Sequence, residues 1–551
     1  MRYDTIAFAA AVTAATTLAC SHRTLNSYPG EPTTVGAYPI AAIGAGDWPA
    51  YNRTLAGDRF SPLKDINTSN VAQLRSICNY TLPEVTSLQT APIVVNGSMY
   101  FTTDTISYAI DAATCKEKWR KVRHSETPSA LGVNRGFAYA DGRLFRGTSD
   151  VHVVALDATT GQTLWDRELD VKGPGVSIPM APIAYNGRVY IGNAGGDIAT
   201  VTGHVYAIEA VDGRLVWKFD VVPASGPARS TWRNSRLPLS GGAFWTSFTV
   251  DEYNGILYVP AGNPAPDFDI AVRTGENLYS NSVIAISPRS GRMLAYNQLV
   301  KRDAHDWDVD SPPALVTTRS GRQIVASANK DGLLSILDRS RVVHDPAGLL
   351  GDLRLLSQTP TTTRLNVNTP LSRDSVTHFC PGIQGGNEWN GAAYSPETNL
   401  LYTGAVDWCA NVQLVGDTLK IPQAGQVWFG AETPQAQIMD PPANARGWVT
   451  AFDAETGAAR WKYQAPKPIL AAVTPTAGGI VFTADMGGTL YAFDAASGRI
   501  LWQTDTGLST GGGIVTYTAG GKQLVGVAAG MKSPVWPGGA SQSRIMVYGL
   551  P

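Results

Sequence analysis

The sequence has little charge and no excess of either sign. Charged residues make up 16% of the 551 positions, against about 25% in an ordinary globular domain. Lys and Arg total 44 and Asp and Glu total 45, so the formal net charge is −1. Because proteins hold a nucleic-acid backbone mainly through clustered basic side chains, this composition argues against a nucleic-acid partner.

Long apolar runs and haem-attachment motifs are also missing. No segment after the N-terminus has the roughly 18 uninterrupted apolar residues that a transmembrane helix needs. No Cys-x-x-Cys-His motif occurs, which excludes covalently attached c-type haem. The chain does contain 56 Gly and 35 Pro among 44% hydrophobic residues. That mixture argues against coiled coil, collagen and disorder, and favours short buried strands joined by tight turns.

The N-terminus has the pattern of an export signal. Arg2 precedes a small and apolar run over residues 6–19, which is too short to span a membrane comfortably. We therefore predict a signal peptide over residues 1–20, a linker over 21–46, and a periplasmic or otherwise exported protein. Cys20 follows Leu18 and Ala19 as in a bacterial lipoprotein cleavage site, although Thr17 stands where Leu is usual. Lipidation of Cys20 is left open.

Export would place the other cysteines in an oxidising compartment. Without Cys20 there are four, and an even number favours disulfides there. Four cysteines allow three pairings. We favour Cys78 with Cys115 and Cys380 with Cys409, and the other two pairings stay open.

One short pattern recurs along the chain. It reads Ala, apolar, acidic, two residues, Thr/Ser/Asp, usually Gly, three residues, Trp, and its clear copies lie at 109–119, 155–165, 207–217, 451–461 and 492–502. In the second copy Asp157 can form an Asx turn and Gly161 can supply the positive φ that closes it. In the first copy Cys115 stands in the Gly place. Weaker copies lie at 285–296 and 335–345.

Units of four strands repeated about every 40–50 residues are typical of propeller blades. A Trp at a fixed offset would fill the space against the next unit. The repeats therefore predict one all-β propeller over residues 47–551, with a β-helix or sandwich as the alternative. The repeats alone do not separate seven blades from eight.

Several segments resemble the quinoprotein alcohol dehydrogenases. Residues 47–52 (DWPAYN) and 55–63 (LAGDRFSPL) are similar to that family's opening, the Trp repeats resemble its docking motif, and 474–483 (TPTAGGIVFT) precedes a repeat in the family's usual way. The resemblance covers about residues 47–551. It implies an eight-bladed β-propeller with tryptophan-docking repeats that holds pyrroloquinoline quinone (PQQ) and a metal ion at its axis.

The resemblance assigns a catalytic base. Residues 304–310 (AHDWDVD) resemble the family segment in which the Asp after Trp has that role, which implies Asp308 here. Asp310 stands where lanthanide-dependent members carry an additional metal-ligating carboxylate. Residues i and i+2 of a strand point to the same side, so both carboxylates could face one ion. A solvated acidic turn is the alternative.

Two further metal ligands are implied. Asn263, in 262–266 (GNPAP), falls in a segment similar to the family's metal-ligand loop, and Asp197, in 192–197 (GNAGGD), stands where the family usually has Glu. Amide and carboxylate oxygens suit a hard cation, here Ca²⁺ or a lanthanide ion. A register error of one residue at Asp197 is left open, and simple turns are the alternative at both places.

The resemblance also implies contacts with the cofactor. Trp245, in 241–245 (GGAFW), would form the floor under the quinone, with a role as blade filler as the alternative. Arg135 in Asn-Arg-Gly would pair with a PQQ carboxylate, a natural task for a guanidinium group. The remaining implied contacts are Gln89, where the family often has Glu; Lys330, where an Arg or Lys contacts the quinone oxygens; and Glu388 with Trp389, inside the loop that Cys380 and Cys409 flank.

The chain departs from the family pattern in places. Ser129 and Ala130 replace the adjacent cysteines that many members place over the quinone. Ala194 and Pro179 replace hydroxyl side chains that hold PQQ carboxylates. These losses weaken the case for tight PQQ binding unless Ser177 or backbone groups substitute.

Two functions follow from the sequence. The first is an exported oxidoreductase that oxidises an alcohol-type substrate by hydride transfer to metal-bound PQQ and passes electrons to a separate cytochrome or other acceptor. The alternative is a non-catalytic propeller scaffold resembling the outer-membrane assembly lipoprotein. A scaffold would not need Asp308, Asn263, Arg135 and Trp245 in the family's places, so their joint presence favours the enzyme.

Overall fold

The computed structural model describes residues 44–125, 127, 131–170, 173–233, 237–345, 347–416 and 421–551, without the side chains of Gln435 and Ala436. The predicted signal peptide, Cys20 and nearly all of the predicted linker lie outside the described residues, as do Ser129 and Ala130. Across the described ranges, no helix is both long and apolar enough to cross a membrane.

The described residues form eight four-stranded antiparallel sheets, numbered here sheet 1 to sheet 8. Sheet 1 comprises β2 Ile93–Val95, β3 Ser98–Thr102, β4 Ile106–Asp111 and β5 Glu117–Val122, and sheet 2 comprises β6 Ala138–Ala140, β7 Arg143–Gly147, β8 His152–Asp157 and β9 Thr163–Glu168. Sheet 3 comprises β10 Ile183–Tyr185, β11 Arg188–Gly192, β12 His204–Glu209 and β13 Leu215–Asp220, and sheet 4 comprises β14 Thr249–Asp251, β15 Ile256–Ala261, β16 Ser282–Ile286 and β17 Met293–Gln298.

Sheet 5 comprises β18 Ala314–Thr317, β19 Gln323–Ala328, β20 Leu333–Arg341 and β21 Asp352–Pro360, and sheet 6 comprises β23 Ala393–Ser395, β24 Leu400–Asp407, β26 Arg446–Asp453 and β27 Ala459–Ala465. Sheet 7 comprises β28 Thr474–Pro475, β29 Ile480–Ala484, β30 Thr489–Asp494 and β31 Ile500–Asp505, and sheet 8 comprises β32 Ile514–Ala519, β33 Lys522–Ala529, β34 Arg544–Gly549 and β1 Arg75–Thr81. A separate pair joins β22 Thr377–Phe379 to β25 Ala410–Val412. The described helices are short: α1 Gly226–Ser230, α2 Gln435–Ile438, and 3₁₀ turns at Val71–Gln73, Ile270–Val272 and Pro442–Asn444.

The sheets are arranged as propeller blades, which confirms the predicted all-β, eight-bladed fold. The first strand of a sheet is the innermost, and the first strands of sheets 4 to 8 contact one another in succession. Inner strands such as β2 are fully buried, whereas outer strands such as β5 are mostly exposed. Hydrophobic clusters lie between neighbouring sheets; one packs Ile93 and Tyr100 of sheet 1 against Leu144 and Val154 of sheet 2.

Repeat turns and tryptophans join sheet 1 to 2, 2 to 3, 3 to 4 and 6 to 7, as the sequence predicts. Asp157 Oδ1 accepts hydrogen bonds from the Thr159 and Thr160 amides, and Gly161 has φ +71°. Trp119 of sheet 1 stands over that turn and donates its Nε1–H to the Ala158 carbonyl at 3.0 Å. A Cβ on Gly161 would lie 2.6 Å from the Trp119 ring. The same contact recurs between Trp165 and Gly213, Trp217 and Gly291, and Trp461 and Gly498.

The ring closes between sheets 8 and 1 with a disulfide in place of this contact. Cys78 pairs with Cys115, and Cys380 pairs with Cys409, as favoured from the sequence. Cys78 lies on β1 opposite Val547, directly beside a β-bulge, and Trp119 has the equivalent register opposite Ala109. Cys115 occupies the glycine place of the receiving turn and has φ +59°. The Cys78–Cys115 bridge therefore stands where four other junctions between sheets use a Trp–Gly contact.

Strand order also determines which loops share an end of the propeller. In an antiparallel sheet the loop between the second and third strands opens at the same end as the connection to the next sheet. The repeat turns, between the third and fourth strands, open at the opposite end. Polar residues in the first two kinds of loop are therefore brought together at one end of the axis, on a rigid scaffold.

Candidate functional site

All the predicted site residues lie in loops at that one end. They follow second strands or precede first strands of sheets 1 to 6: Gln89, Arg135, Asp197, Trp245, Asn263, Asp308, Asp310, Lys330, Glu388 and Trp389. Asp197 and Trp245 are half-buried, and the other eight are buried.

Asp308 is held by groups from two other loops. Its Oδ1 accepts the Asn263 backbone N–H at 2.8 Å, and its Oδ2 accepts Lys330 Nζ at 3.0 Å. A Cβ on Gly262 would lie 2.5 Å from Asp308 Oδ1, so only glycine allows this approach. Lys330 Nζ also contacts Asp306 Oδ2 at 3.2 Å. The carboxylate predicted to act as base is thus buried, oriented and next to a cation.

The segment that carries Asp308 is itself anchored. Both oxygens of Asp303 accept backbone amides, from His305 at 2.9 Å and from Trp307 at 3.0 Å. The His305 ring stacks on the Trp307 ring at 4.1 Å, and Trp307 Nε1–H donates to the Pro381 carbonyl at 3.0 Å. These contacts fix the backbone from 303 to 308 and hence the direction of the acidic side chains.

Three carboxylates from three loops converge beside Asp308. Asp197, Asp267 and Asp306 each offer a carboxylate oxygen within 4.8 Å of the others. Asn263 Nδ2 donates to Asp267 Oδ1 at 3.0 Å, which ties the predicted amide ligand to this cluster. Of the three, only Asp197 was predicted as a ligand. Asp267 lies just past the Gly-Asn-Pro-Ala-Pro segment and Asp306 two residues before Asp308, so their positions next to the motifs were the available signal.

The carboxylates of this region resist ionisation together. Burial, reinforced by the charge of Asp308, raises the pKa of Asp197 to about 6. Burial and neighbouring carboxylates raise the pKa of Asp267, Asp306 and Asp310 well above the ordinary value. Lys330 opposes the shifts of Asp197, Asp306 and Asp310, and Arg273 opposes that of Asp267, but these two cations do not balance the carboxylates. An all-oxygen cluster that needs positive charge has the chemistry of a site for a hard cation, so these residues fit the metal ion that the resemblance implies.

Asp310 faces a different neighbour. Its backbone carbonyl accepts the Thr246 hydroxyl, while neither carboxylate oxygen has a hydrogen-bond partner among the described residues. After burial, the charge of Glu388 is the largest contribution to its raised pKa. Burial also raises the pKa of Glu388 to about 8, against the opposing effects of Lys330 and Arg135. Glu388 and Asp308 are therefore the two carboxylates whose charges most oppose the ionisation of Asp310.

Arg135 joins the predicted cofactor contacts into one unit. Its Nη1 donates to the Trp245 carbonyl at 2.9 Å and its Nη2 to Gln89 Oε1 at 2.8 Å. The guanidinium lies 4.9 Å from the Trp245 ring centre and 5.0 Å from that of Trp389. Burial lowers the pKa of Arg135 to about 10. A buried cation between two indoles is a suitable place for a flat anionic ligand.

An aromatic wall continues from Trp389. Its Nε1–H donates to the Gly511 carbonyl at 2.9 Å, and its ring meets that of Trp536 edge-on at 5.9 Å. Trp408, next to the Cys380–Cys409 bridge, lies 6.5 Å from Trp536. Sequence reasoning missed Trp408 and Trp536, because both lie in loops outside the repeat pattern.

Pro179 and Ala194, which stand where the family has hydroxyl side chains, lie beside the site. The Pro179 carbonyl accepts the Arg135 backbone N–H at 2.8 Å. The Ser177 carbonyl accepts the Ala194 backbone N–H at 2.8 Å. Backbone groups of residues 177–179 thus contact both Arg135 and the loop that carries Asp197.

Comparison with known proteins gives two family matches. Residues 48–341 match the family described as glucose/ethanol/alcohol dehydrogenase, β-propeller domain. Residues 445–536 match the family described as outer membrane protein assembly factor BamB.

Relatives and solved structures agree with the longer match. Quinohemoprotein alcohol dehydrogenase ADH IIB of Pseudomonas putida is 28% identical, over 93% of this chain and 81% of its own. Quinoprotein alcohol dehydrogenase PedH of Pseudomonas putida is 27% identical, over 88% and 86%. The structure of quinohemoprotein alcohol dehydrogenase from Comamonas testosteroni has a TM-score of 0.81 at 25% identity, over 93% and 81%. A europium-containing methanol dehydrogenase has the same fold, with a TM-score of 0.79 at 23% identity, over 92% and 98%.

Proposed function

The chain belongs to the glucose/ethanol/alcohol dehydrogenase β-propeller family, and on that premise we propose that it oxidises an alcohol-type substrate with PQQ and a metal ion, using Asp308 as the catalytic base. One observation carries this assignment. Asp308 is a buried carboxylate held by the Asn263 amide and Lys330, directly beside the carboxylate cluster.

The cofactor contacts are part of the same proposal. PQQ is a flat tricarboxylate, and Arg135 and Lys330 are the buried cations that would hold its anionic and quinone oxygens. Trp245 would lie under its ring, while Gln89 would orient Arg135 as it does here. Glu388 and Trp389 would line the opposite side, next to the aromatic wall. When bound, PQQ supplies the hydride acceptor and the metal ion a Lewis acid.

Asp308 accepts the proton of the substrate hydroxyl. A positioned general base contributes about 10²–10⁴-fold to the rate. The Asn263 backbone amide and Lys330 hold its carboxylate in a fixed orientation, since both donate to it. The buried setting keeps bulk water away from this carboxylate. Asp197 and Asn263, with Asp308 and Asp310 of the predicted set, would hold the metal ion, as Ca²⁺ or a lanthanide.

Export and electron transfer complete the proposal. The pattern of residues 1–20 supports export to the periplasm; a lipid anchor on Cys20 is not part of the proposal. Since the sequence has no Cys-x-x-Cys-His motif, the electrons would pass to a separate cytochrome or another acceptor. The scaffold alternative is not favoured, because a scaffold has no need for a buried base beside a carboxylate cluster.

The kinetic test compares Asp308→Asn with the parent protein after loading with PQQ and metal. We expect the variant to bind PQQ while its kcat for alcohol-dependent dye reduction falls by about 10²-fold or more. The control is Asp212→Asn, a repeat-turn residue at the opposite end of the propeller, which should leave kcat unchanged. Unchanged turnover in Asp308→Asn would refute the assignment of the base.

A further inference from the structure

Two carboxylates in the cluster have no place in the ligand set that the resemblance implies. Asp197, Asp267 and Asp306 follow or precede strands of three different sheets, yet their oxygens lie within 4.8 Å of one another. Arg273 helps to fix this arrangement. It is buried and donates to the Pro266 carbonyl at 2.8 Å, the Asp267 carbonyl at 2.9 Å and the Asp303 carbonyl at 2.7 Å. The two loops that carry Asp267 and Asp306 are thus pinned to one side chain.

In each of these two carboxylates, one oxygen has a polar partner and the other has none among the described residues. Asp267 Oδ1 accepts from Asn263 and Asp306 Oδ2 contacts Lys330. Asp267 Oδ2 and Asp306 Oδ1 have no hydrogen-bond partner within the described part of the chain. The exposed fractions of the two residues are 0% and 5%. Buried oxygens left unpaired are costly unless a ligand satisfies them.

The charge balance indicates what kind of ligand this is. Five buried or half-buried aspartates (Asp197, Asp267, Asp306, Asp308 and Asp310) share two buried cations: Lys330, which contacts Asp306 and Asp308, and Arg273, which donates to the backbone of the loops that carry Asp267 and Asp306. A divalent ion would leave more negative charge uncompensated than a trivalent one would. In a site with little water, repulsion between the remaining carboxylates is strong, so an additional positive charge is favoured.

We infer that Asp267 and Asp306 are ligands of the metal ion, in addition to the predicted set, and that their charge makes the site select trivalent over divalent cations. This inference rests on the proposed function for the presence of a metal ion at this end of the propeller. The full ligand set then contains more carboxylates than the resemblance implies. Asp197 belongs both to the predicted ligands and to the cluster with Asp267 and Asp306.

The test measures metal affinity directly, with the metal-free full chain and no cofactor. Tb³⁺ is titrated by its luminescence excited through tryptophan, and Ca²⁺ by competition. We expect one tight Tb³⁺ site per chain that Ca²⁺ displaces only at large excess. Asp267→Asn and Asp306→Asn should each weaken Tb³⁺ binding by at least about tenfold, since even outer-shell changes at metal sites cost ~10–100-fold. The preference for Tb³⁺ over Ca²⁺ should fall in both variants.

The matched control is Asp269→Asn. Asp269 is as buried as Asp267, but its oxygens are occupied by Arg373 at 2.6 Å and the Ala271 amide at 3.1 Å. This variant should keep the parent's affinity for Tb³⁺. Thermal unfolding provides a second readout. Without metal, Asp267→Asn and Asp306→Asn should melt no lower than the parent, because they relieve repulsion, whereas the rise in Tm on adding Tb³⁺ should shrink.

Parental Tb³⁺ affinity in both Asp267→Asn and Asp306→Asn would overturn the inference, as would tighter binding of Ca²⁺ than of Tb³⁺ by the parent. Alcohol oxidation by the PQQ-loaded parent is measured in parallel. An inactive parent whose Tb³⁺ affinity depends on Asp267 and Asp306 would refute the proposed function alone. An active parent whose variants bind Tb³⁺ normally would refute the inference alone.

Discussion

Replacing the Cys78–Cys115 bridge with a tryptophan and a glycine should preserve the closure of the ring. Cys78 has the register of the docking tryptophans, and Cys115 stands in the receiving turn with the positive φ that glycine has in other copies. The Ala112 carbonyl lies where the others accept an indole N–H. It accepts the Tyr517 hydroxyl at 2.8 Å. A carbonyl can accept a second bond, so Cys78→Trp with Cys115→Gly should dock as its neighbours do.

The expected changes in Tm follow from the length of the loop that the bridge closes and from the energy of the indole contact that replaces it. The bridge spans 37 residues, and closing such a loop stabilises by about 4 kcal/mol in the chain-entropy model. For a propeller of roughly 500 residues the unfolding entropy is ~1 kcal/mol/K, so removal of the bridge should lower Tm by about 4 °C. A half-buried indole with one hydrogen bond contributes ~3 kcal/mol. The Trp–Gly pair should therefore recover most of the loss.

The assay is thermal unfolding at a fixed scan rate for three variants. They are Cys78→Ala/Cys115→Gly, Cys78→Trp/Cys115→Gly, and Cys78→Trp alone. The single variant should be less stable than the Trp/Gly double variant, since a Cβ in the glycine place meets the indole at 2.6 Å in the Trp119–Gly161 copy. If the Trp/Gly variant melts no higher than the Ala/Gly variant, Cys78 is not the equivalent of the docking tryptophans.

Three other predictions concern single residues at the site end. Burial raises the pKa of Asp331 to about 7, so between about pH 4 and 7 the folded protein binds a proton that the unfolded chain releases. The free energy of unfolding should therefore decline by about 1.4 kcal/mol per pH unit over that window. Asp331→Asn should flatten the corresponding fall in Tm, and an unchanged slope would contradict this. Arg135→Lys cannot span both Gln89 and the Trp245 carbonyl, so titration should show PQQ affinity reduced by about tenfold or more, and parental affinity would count against the role of the guanidinium. Gly262→Ala would place a Cβ 2.5 Å from Asp308 Oδ1, so kcat should fall by about 10²-fold with the fold intact; normal turnover would show that this approach is not needed.

The repeats predicted the contacts between sheets because four of the five clear copies contain both parts of the contact, the tryptophan and the receiving glycine. The blade count was harder to predict. The copy at 285–296 ends in Tyr296, and the copy at 335–345 lacks both Gly and Trp. Sheet 8 takes its fourth strand from the other end of the chain, with Cys78 in the Trp place. Its pattern is therefore divided between the two ends of the sequence.

Motifs brought the site residues to attention one loop at a time. Asp308 and Asn263 are joined in the structure by a hydrogen bond, which neither segment shows alone. Asp267 and Asp306 were passed over because their role depends on distances between loops of different sheets. Trp408 and Trp536 were missed for the same reason, since side chains in unpatterned loops acquire meaning only from their neighbours.

The most direct test of the central claim is titration of the metal-free full chain with PQQ, in the presence of Ca²⁺ and separately of La³⁺. Bound-cofactor absorbance and alcohol-dependent dye reduction are followed together. We expect saturable, metal-dependent binding of PQQ, with turnover that requires both the cofactor and the alcohol. Failure of PQQ to bind with either ion would contradict the account and show that Ala194 and Pro179, in place of hydroxyl side chains, leave the site unable to hold the cofactor.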